Sequence, residues 1–183
     1  MQRFPAIARY SLAVNTARAL IEDSVTDFPV DPFQICAWNG WKVTSYSYLA
    51  QQEGVTISEI AEALHSDEGT SCRKNGRYYI FYNDVRKSYE RIRFTVTHEI
   101  GHICLGHLEL KETRHHGELS EEQYKILENE ANAFARNVLA PASYVNKLRW
   151  YFNTDSVSSY FRISRPAAKA RMDFLDIDLM YLA

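Results

Sequence analysis

The apolar positions of this chain change period several times, and each change marks an element. Between residues 6 and 22, Ile7, Tyr10, Leu12, Val14, Ala17 and Ile21 supply the apolar side of a first amphipathic helix. Proline and aspartate break the pattern over 27–32, and a short element follows to Trp38. Residues 41–48, WKVTSYSY, alternate and are β-branched or aromatic, which predicts a strand. Thr56 and Glu59 form a Thr-x-x-Glu capping box at the head of a helix over 56–65. Asn75-Gly76 then separates two strand-like runs and supplies the positive φ angles of a type I′ turn, predicting a β-hairpin over 69–83.

The second half reads as helical. Ser88 to Leu105 forms one helix, a polar loop follows over 109–119, and Ser120 with Gln123 caps a helix that Pro141 stops after Ala140. Residues 142–175 divide into two or three shorter helices, with Ser164 as an N-cap. Helices around a small antiparallel or mixed sheet, with additional C-terminal helices, is an α+β arrangement. The expected division is one domain over 1–145 and a helical extension over 146–183.

Composition narrows the functions. A net charge of −2 gives no general attraction for nucleic acid or membranes. The three cysteines, Cys36, Cys72 and Cys104, contain no Cys-x-x-Cys pair, which argues against a disulfide framework or a zinc ribbon. Arg9, Asn15 and Arg18 interrupt the apolar start, so neither a signal peptide nor a membrane span is expected, and the compartment expected is the cytoplasm.

The chemistry concentrates in RFTVTHEIGHICLGH, residues 93–107. His98 and His102 stand four residues apart, which on a helix is about 40° of rotation and roughly 6 Å of rise. Both imidazoles therefore leave one face and can reach one zinc ion from about 2.0 Å. Glu99 lies one step round, where it can take a proton from water that the cation has made more acidic. The apolar neighbours Ile100, Ile103 and Leu105 bury this helix, and two histidines and a glutamate would be costly there without a shared partner.

A catalytic zinc takes three protein ligands and leaves one position open. His107 is nine residues beyond His98, about 180° round a continuing helix, so it reads as a helix-end residue or a support behind a ligand. The next helix, LENEANAFARNVLAP (127–141), offers Glu128 and Glu130, about 200° apart. Glu128 is preferred as the third ligand because Asn132, four residues on and on the same face, could orient a metal-bound histidine. Ala131, Asn132 and Ala135 are small enough for the two helices to come close.

Together, RFTVTHEIGHICLGH and ENEANAFARNVLAP resemble the ImmA/IrrE metallopeptidases, more loosely over residues 30–175 through GRYYIFYND and FRISRPAAKARM. The resemblance implies a gluzincin-like zinc endopeptidase of bacteria or their mobile elements, with a zincin-like active-site helix. It implies His98, His102 and Glu128 as ligands of Zn2+, Glu99 as the catalytic glutamate, and a helix-turn-helix repressor as the protein substrate. Some members carry their own DNA-binding domain; the first 30 residues here are too short for one, so the repressor is expected on a separate chain.

Several side readings accompany this one. Tyr78, Tyr79, Tyr82, His107, His115 and His116 are candidates to stabilise an oxyanion, and RYYIFYN is a candidate substrate-pairing strand. Residues 147–171 carry six basic side chains against Asp155 and have a helix-turn-helix cadence, which offers Arg165 to Arg171 as a nucleic-acid surface. A regulatory module with a structural metal site, or a peptidase acting on a toxin or antitoxin, are the competing functions.

Overall fold

The computed structural model describes residues 4–24, 27–85, 87–112, 119–151 and 153–182. In chain order the elements are α1 (Tyr10–Ser24), α2 (Pro32–Trp38), β1 (Lys42–Ser45), α3 (Tyr46–Glu53), α4 (Ile57–Ala63), β2 (Gly69–Lys74), β3 (Arg77–Tyr82), α5 (Tyr89–Cys104), α6 (His107–Glu112), α7 (Glu121–Leu139), α8 (Ala142–Lys147), α9 (Thr154–Phe161), α10 (Arg165–Asp173) and α11 (Leu175–Met180). The architecture is α+β with a mixed sheet ordered β1-β3-β2.

Local chemistry accounts for most boundaries. The boxes Thr56/Glu59 and Ser120/Gln123 are both closed reciprocally, and Ser88 and Ser164 accept from the backbone amides of Arg91 and Ala167. Asn75 and Gly76 take φ of 52° and 75°, and the hairpin pairs Lys74 with Arg77 through Gly69 with Tyr82. β1 adds to the other side of β3 in parallel, from Lys42 opposite Tyr79 to Ser45 opposite Tyr82.

Three expectations are corrected. The strand over 41–48 ends at Ser45, whose side chain caps α3 by accepting from Tyr48 N, while Tyr46 buries its ring and donates to Ser66 O. A serine able to close a helix outweighs the alternation that continues past it. The first helix begins at Tyr10 rather than residue 6: Ile7 is 78% exposed, and Ala13, Val14 and Ala17 form the buried face. The polar loop expected after α5 starts with α6, because Leu108 and Leu110 dock into the core.

α5 is the central rod. Val96, Ile100 and Ile103 pack with Ile80 of β3, Phe134 and Val138 of α7, and Ala13 and Ala17 of α1. A Cβ at Gly101 would lie 3.0 Å from the Phe134 ring and 3.3 Å from Ala131 Cα, so glycine is what lets α5 and α7 close to this distance.

The C-terminal helices build a second cluster around Val145, Val157, Phe161 and Ala168, which Leu139 and Ala140 join to the end of α7. Two buried cations tie them in. Arg93 of α5 donates to the carbonyls of Val30, Phe161 and Arg162. Arg171 of α10 is fully buried and donates to Asp178 Oδ2 (2.8 Å), which also accepts from Asn137 (2.8 Å) and Arg136 (3.0 Å). Burial alone would raise the Asp178 carboxyl, but Arg136, Arg171 and Asn137 hold it below the ordinary aspartate range.

Replacing Asp178 by Asn leaves Arg171 buried without its counter-charge, and urea unfolding at pH 7 should show a loss of roughly 3–5 kcal/mol. Because the folded carboxyl is depressed, its contribution is complete above the unfolded aspartate value and disappears as pH falls through the folded one. The gap between wild type and Asp178→Asn should therefore close toward strongly acid pH; a pH-independent gap would contradict the pairing.

Candidate metal centre

α5 presents His98 and His102 toward α7 with their Nε2 atoms 3.1 Å apart. Glu128 of α7 meets both: Oε2 lies 3.1 Å from His98 Nε2, and Oε1 lies 3.2 Å from His102 Nε2. Ligands held about 2.0–2.1 Å from one zinc ion at tetrahedral angles stand about 3.3 Å apart, so these spacings suit one small cation. His98, Glu99 and His102 also each offer a ligand atom, all within 4.8 Å of one another. Glu128 matches the histidine nitrogens more closely, and Glu99 is engaged elsewhere.

The outer hydrogen bonds assign the imidazole protons. His98 Nδ1 lies 3.1 Å from Asn132 Oδ1, which only accepts, so Nδ1 carries a proton and Nε2 points inward to Glu128. His107 Nε2 donates to Glu130 Oε2 at 2.9 Å, and its Nδ1 then accepts from His102 Nδ1 at 2.8 Å. With both Nδ1 protons turned outward, the two Nε2 atoms and the Glu128 carboxylate converge, a donor set that fits a divalent cation once any proton shared with Glu128 is lost.

Glu130 belongs to the support. It is fully buried and receives Arg9 N at 2.6 Å and Arg9 Nη2 at 2.8 Å. Burial opposes its ionisation, but His107 and Arg9 bring the carboxyl down to about 2. Burial likewise opposes ionisation of Glu128, and the hydrogen bonds and charges of His102 and His98 hold it well below the carboxylate range. Burial works against protonation of His98, yet Glu128 and Glu99 raise its pKa, so proton and cation compete for one lone pair.

Glu99 accepts from Ser71 Oγ on β2 at 2.7 Å. A Cβ at Gly69 would stand 2.6 Å from Thr95 Cγ2 and 2.8 Å from Phe81 O, so β2 can lie this close to α5 only with glycine there. β2, the edge of the described sheet, borders a cleft of about 740 Å³ that contains Ser71, His98, Glu99, His102, Tyr124 and Glu128.

Other sequence candidates fall away from this cleft. Tyr78 donates to Glu109 Oε1, Tyr79 stacks on Phe81, and Tyr82 packs on Phe33. β3 is the central strand, so RYYIFYN offers no pairing edge; β2 does. His107 is fully buried behind His102, and His115 and His116 lie outside the described residues. Burial pushes the Cys104 thiol up to about 12, which leaves no reactive thiolate. The Arg165–Arg171 surface is not a free basic strip: Arg171 is buried, Arg165 pairs with Asp155 at 2.6 Å, and Lys169 pairs with Asp173 at 2.6 Å. Ser71, His65 and Arg91 in the cleft escaped sequence reasoning, whereas Tyr124, one turn before Glu128 on the same helix, had a legible signal.

His107→Phe keeps a ring in the pocket but removes the acceptor for His102 Nδ1. Chelator competition should then show zinc binding weakened by roughly 10–100-fold, and unchanged affinity would contradict the proton assignment.

Against known protein families, residues 50–173 match the peptidase M78 family, described as the IrrE N-terminal-like domain. No curated protein matches the chain in direct comparison. Among the described residues, no helix is long and apolar enough to cross a membrane. The family match contains the whole of α5 and α7, agrees with the ImmA/IrrE resemblance of their motifs, and covers more than half of the sequence: the chain belongs to the peptidase M78 family of metallopeptidases.

Proposed function

We propose that this chain is a zinc-dependent endopeptidase that cuts a helix-turn-helix transcriptional repressor carried on a separate chain, in the cytoplasm. The observation that carries the reading is the convergence of His98 Nε2, His102 Nε2 and the Glu128 carboxylate at 3.1–3.2 Å, with Glu99 beside them in an open cleft. A purely structural metal site has no use for a carboxylate base lining such a cleft beside it. The repressor as substrate rests on the family resemblance.

In this reading His98, His102 and Glu128 hold the ion. Zinc supplies Lewis acidity there, making water a better acid and a carbonyl a better electrophile. Glu99 takes the proton of the attacking water on a carboxylate oxygen and returns it to the leaving amine nitrogen. Ser71 donates to Glu99 Oε2 and fixes the plane of that carboxylate. The exposed edge of β2 binds the substrate main chain by strand addition, leaving alternate side chains to face α5 and α7.

Zinc content per chain should fall from one toward zero in His98→Ala and Glu128→Ala; undiminished zinc in both would remove the ligand assignment. Glu99→Gln should retain the metal while cleavage slows by roughly 10²–10⁴-fold. The assay is mass spectrometry of a helix-turn-helix repressor encoded beside this gene, and full activity in the Gln variant would exclude Glu99 as the base.

A further inference from the structure

A second cavity of about 370 Å³ lies against the cleft and shares Arg91, Phe94 and Asn132 with it. Both inner residues touch the metal centre. The Phe94 ring stands 6.2 Å from the imidazole of His98, one turn along α5, and the Asn132 amide holds His98 Nδ1. A substrate whose scissile carbonyl reaches the centre thus has a neighbouring side chain within reach of this cavity.

Its walls are apolar. Phe94 and Leu139 form one side, and Ile163, Pro166, Ala167 and Ala170 form the other. Both arginines lining it are already paired: Arg91 Nε donates to Glu68 at 2.9 Å, and Arg136 makes two hydrogen bonds to Asp178 at 3.0 and 3.1 Å; Glu90, in the first turn of α5, is the acidic residue on the rim. The void exists because α10 turns small residues, Ala167 and Ala170, toward α5 and α7. Resting on the peptidase reading above, we infer that this cavity is the subsite that selects the cleavage position by taking one large apolar side chain, of leucine or phenylalanine type, beside the scissile bond. The C-terminal helix with the helix-turn-helix cadence thereby becomes a wall of the substrate site.

The test uses full-length, zinc-loaded protein and capped peptides of alanine, serine and glycine that differ at one position, Leu, Phe, Ala or Lys. Titrated into Glu99→Gln protein, the Leu and Phe peptides should bind roughly 10–100-fold more tightly than the Ala and Lys peptides. Ala170→Phe, and independently Ala167→Leu should the first variant fail to fold, fill the cavity and should erase that preference while zinc content stays at one per chain. With Glu99 intact, cleavage of a peptide mixture should move from sites flanked by large apolar residues to sites flanked by small ones in the filled variants. No binding, equal affinity for the Leu and Ala peptides, or a preference that survives in both filled variants overturns the subsite. Selective binding without cleavage by the wild type would instead count against the peptidase reading, so the two failures are distinguishable.

Discussion

The centre depends on how closely α5 and α7 approach. Histidines four residues apart on one helix supply only two donors; the third must come from another element brought within hydrogen-bond distance. Gly101, facing Ala131 and the edge of Phe134, removes the one side chain that would keep the helices apart. Glu128, one turn from that contact, then spans both imidazoles. This close approach is a packing property, but here it sets the chemistry, because a carboxylate an ångström further off would no longer span both Nε2 atoms.

Around this contact the hydrogen bonds run outward in a consistent direction. Asn132 and His107 take the Nδ1 protons, Glu130 takes the His107 proton, and Arg9, at the head of α1, neutralises Glu130. The two Nε2 atoms are thus already aimed at Glu128, which lowers the reorganisation needed to bind an ion. On the other flank, Gly69 lets β2 close on α5 and sets Ser71 against Glu99. Two glycines, each at a point of close approach, bring Glu99, His98, His102 and Glu128 onto one cleft.

Legibility in the sequence followed the range of the interaction. The Asn75-Gly76 hairpin, the capping boxes and the shared face of His98 and His102 depend on neighbours within four residues and could be read directly. The match of Glu128 to that face was readable through Asn132 on the same face of α7. The partnership of Arg9 with Glu130 was not, since 121 positions separate them and either could be a solvated charge. His107 could be excluded from the histidines' face by helical geometry, but its place behind His102 needed the turn at Gly106 and the burial of Leu108 and Leu110. Ser45 misled because a cap and a strand residue look alike until the tertiary structure chooses, and Arg171 misled because a basic residue in a recognition-like helix is surface by default.

The most direct measurement is X-ray absorption at the zinc edge on the loaded chain. Two imidazole nitrogens are expected at about 2.0–2.1 Å and carboxylate oxygen at about 2.0–2.2 Å, with one imidazole lost in His98→Ala. A sulfur scatterer near 2.3 Å, or an unchanged spectrum in that variant, would place the ion elsewhere and contradict this ligand set.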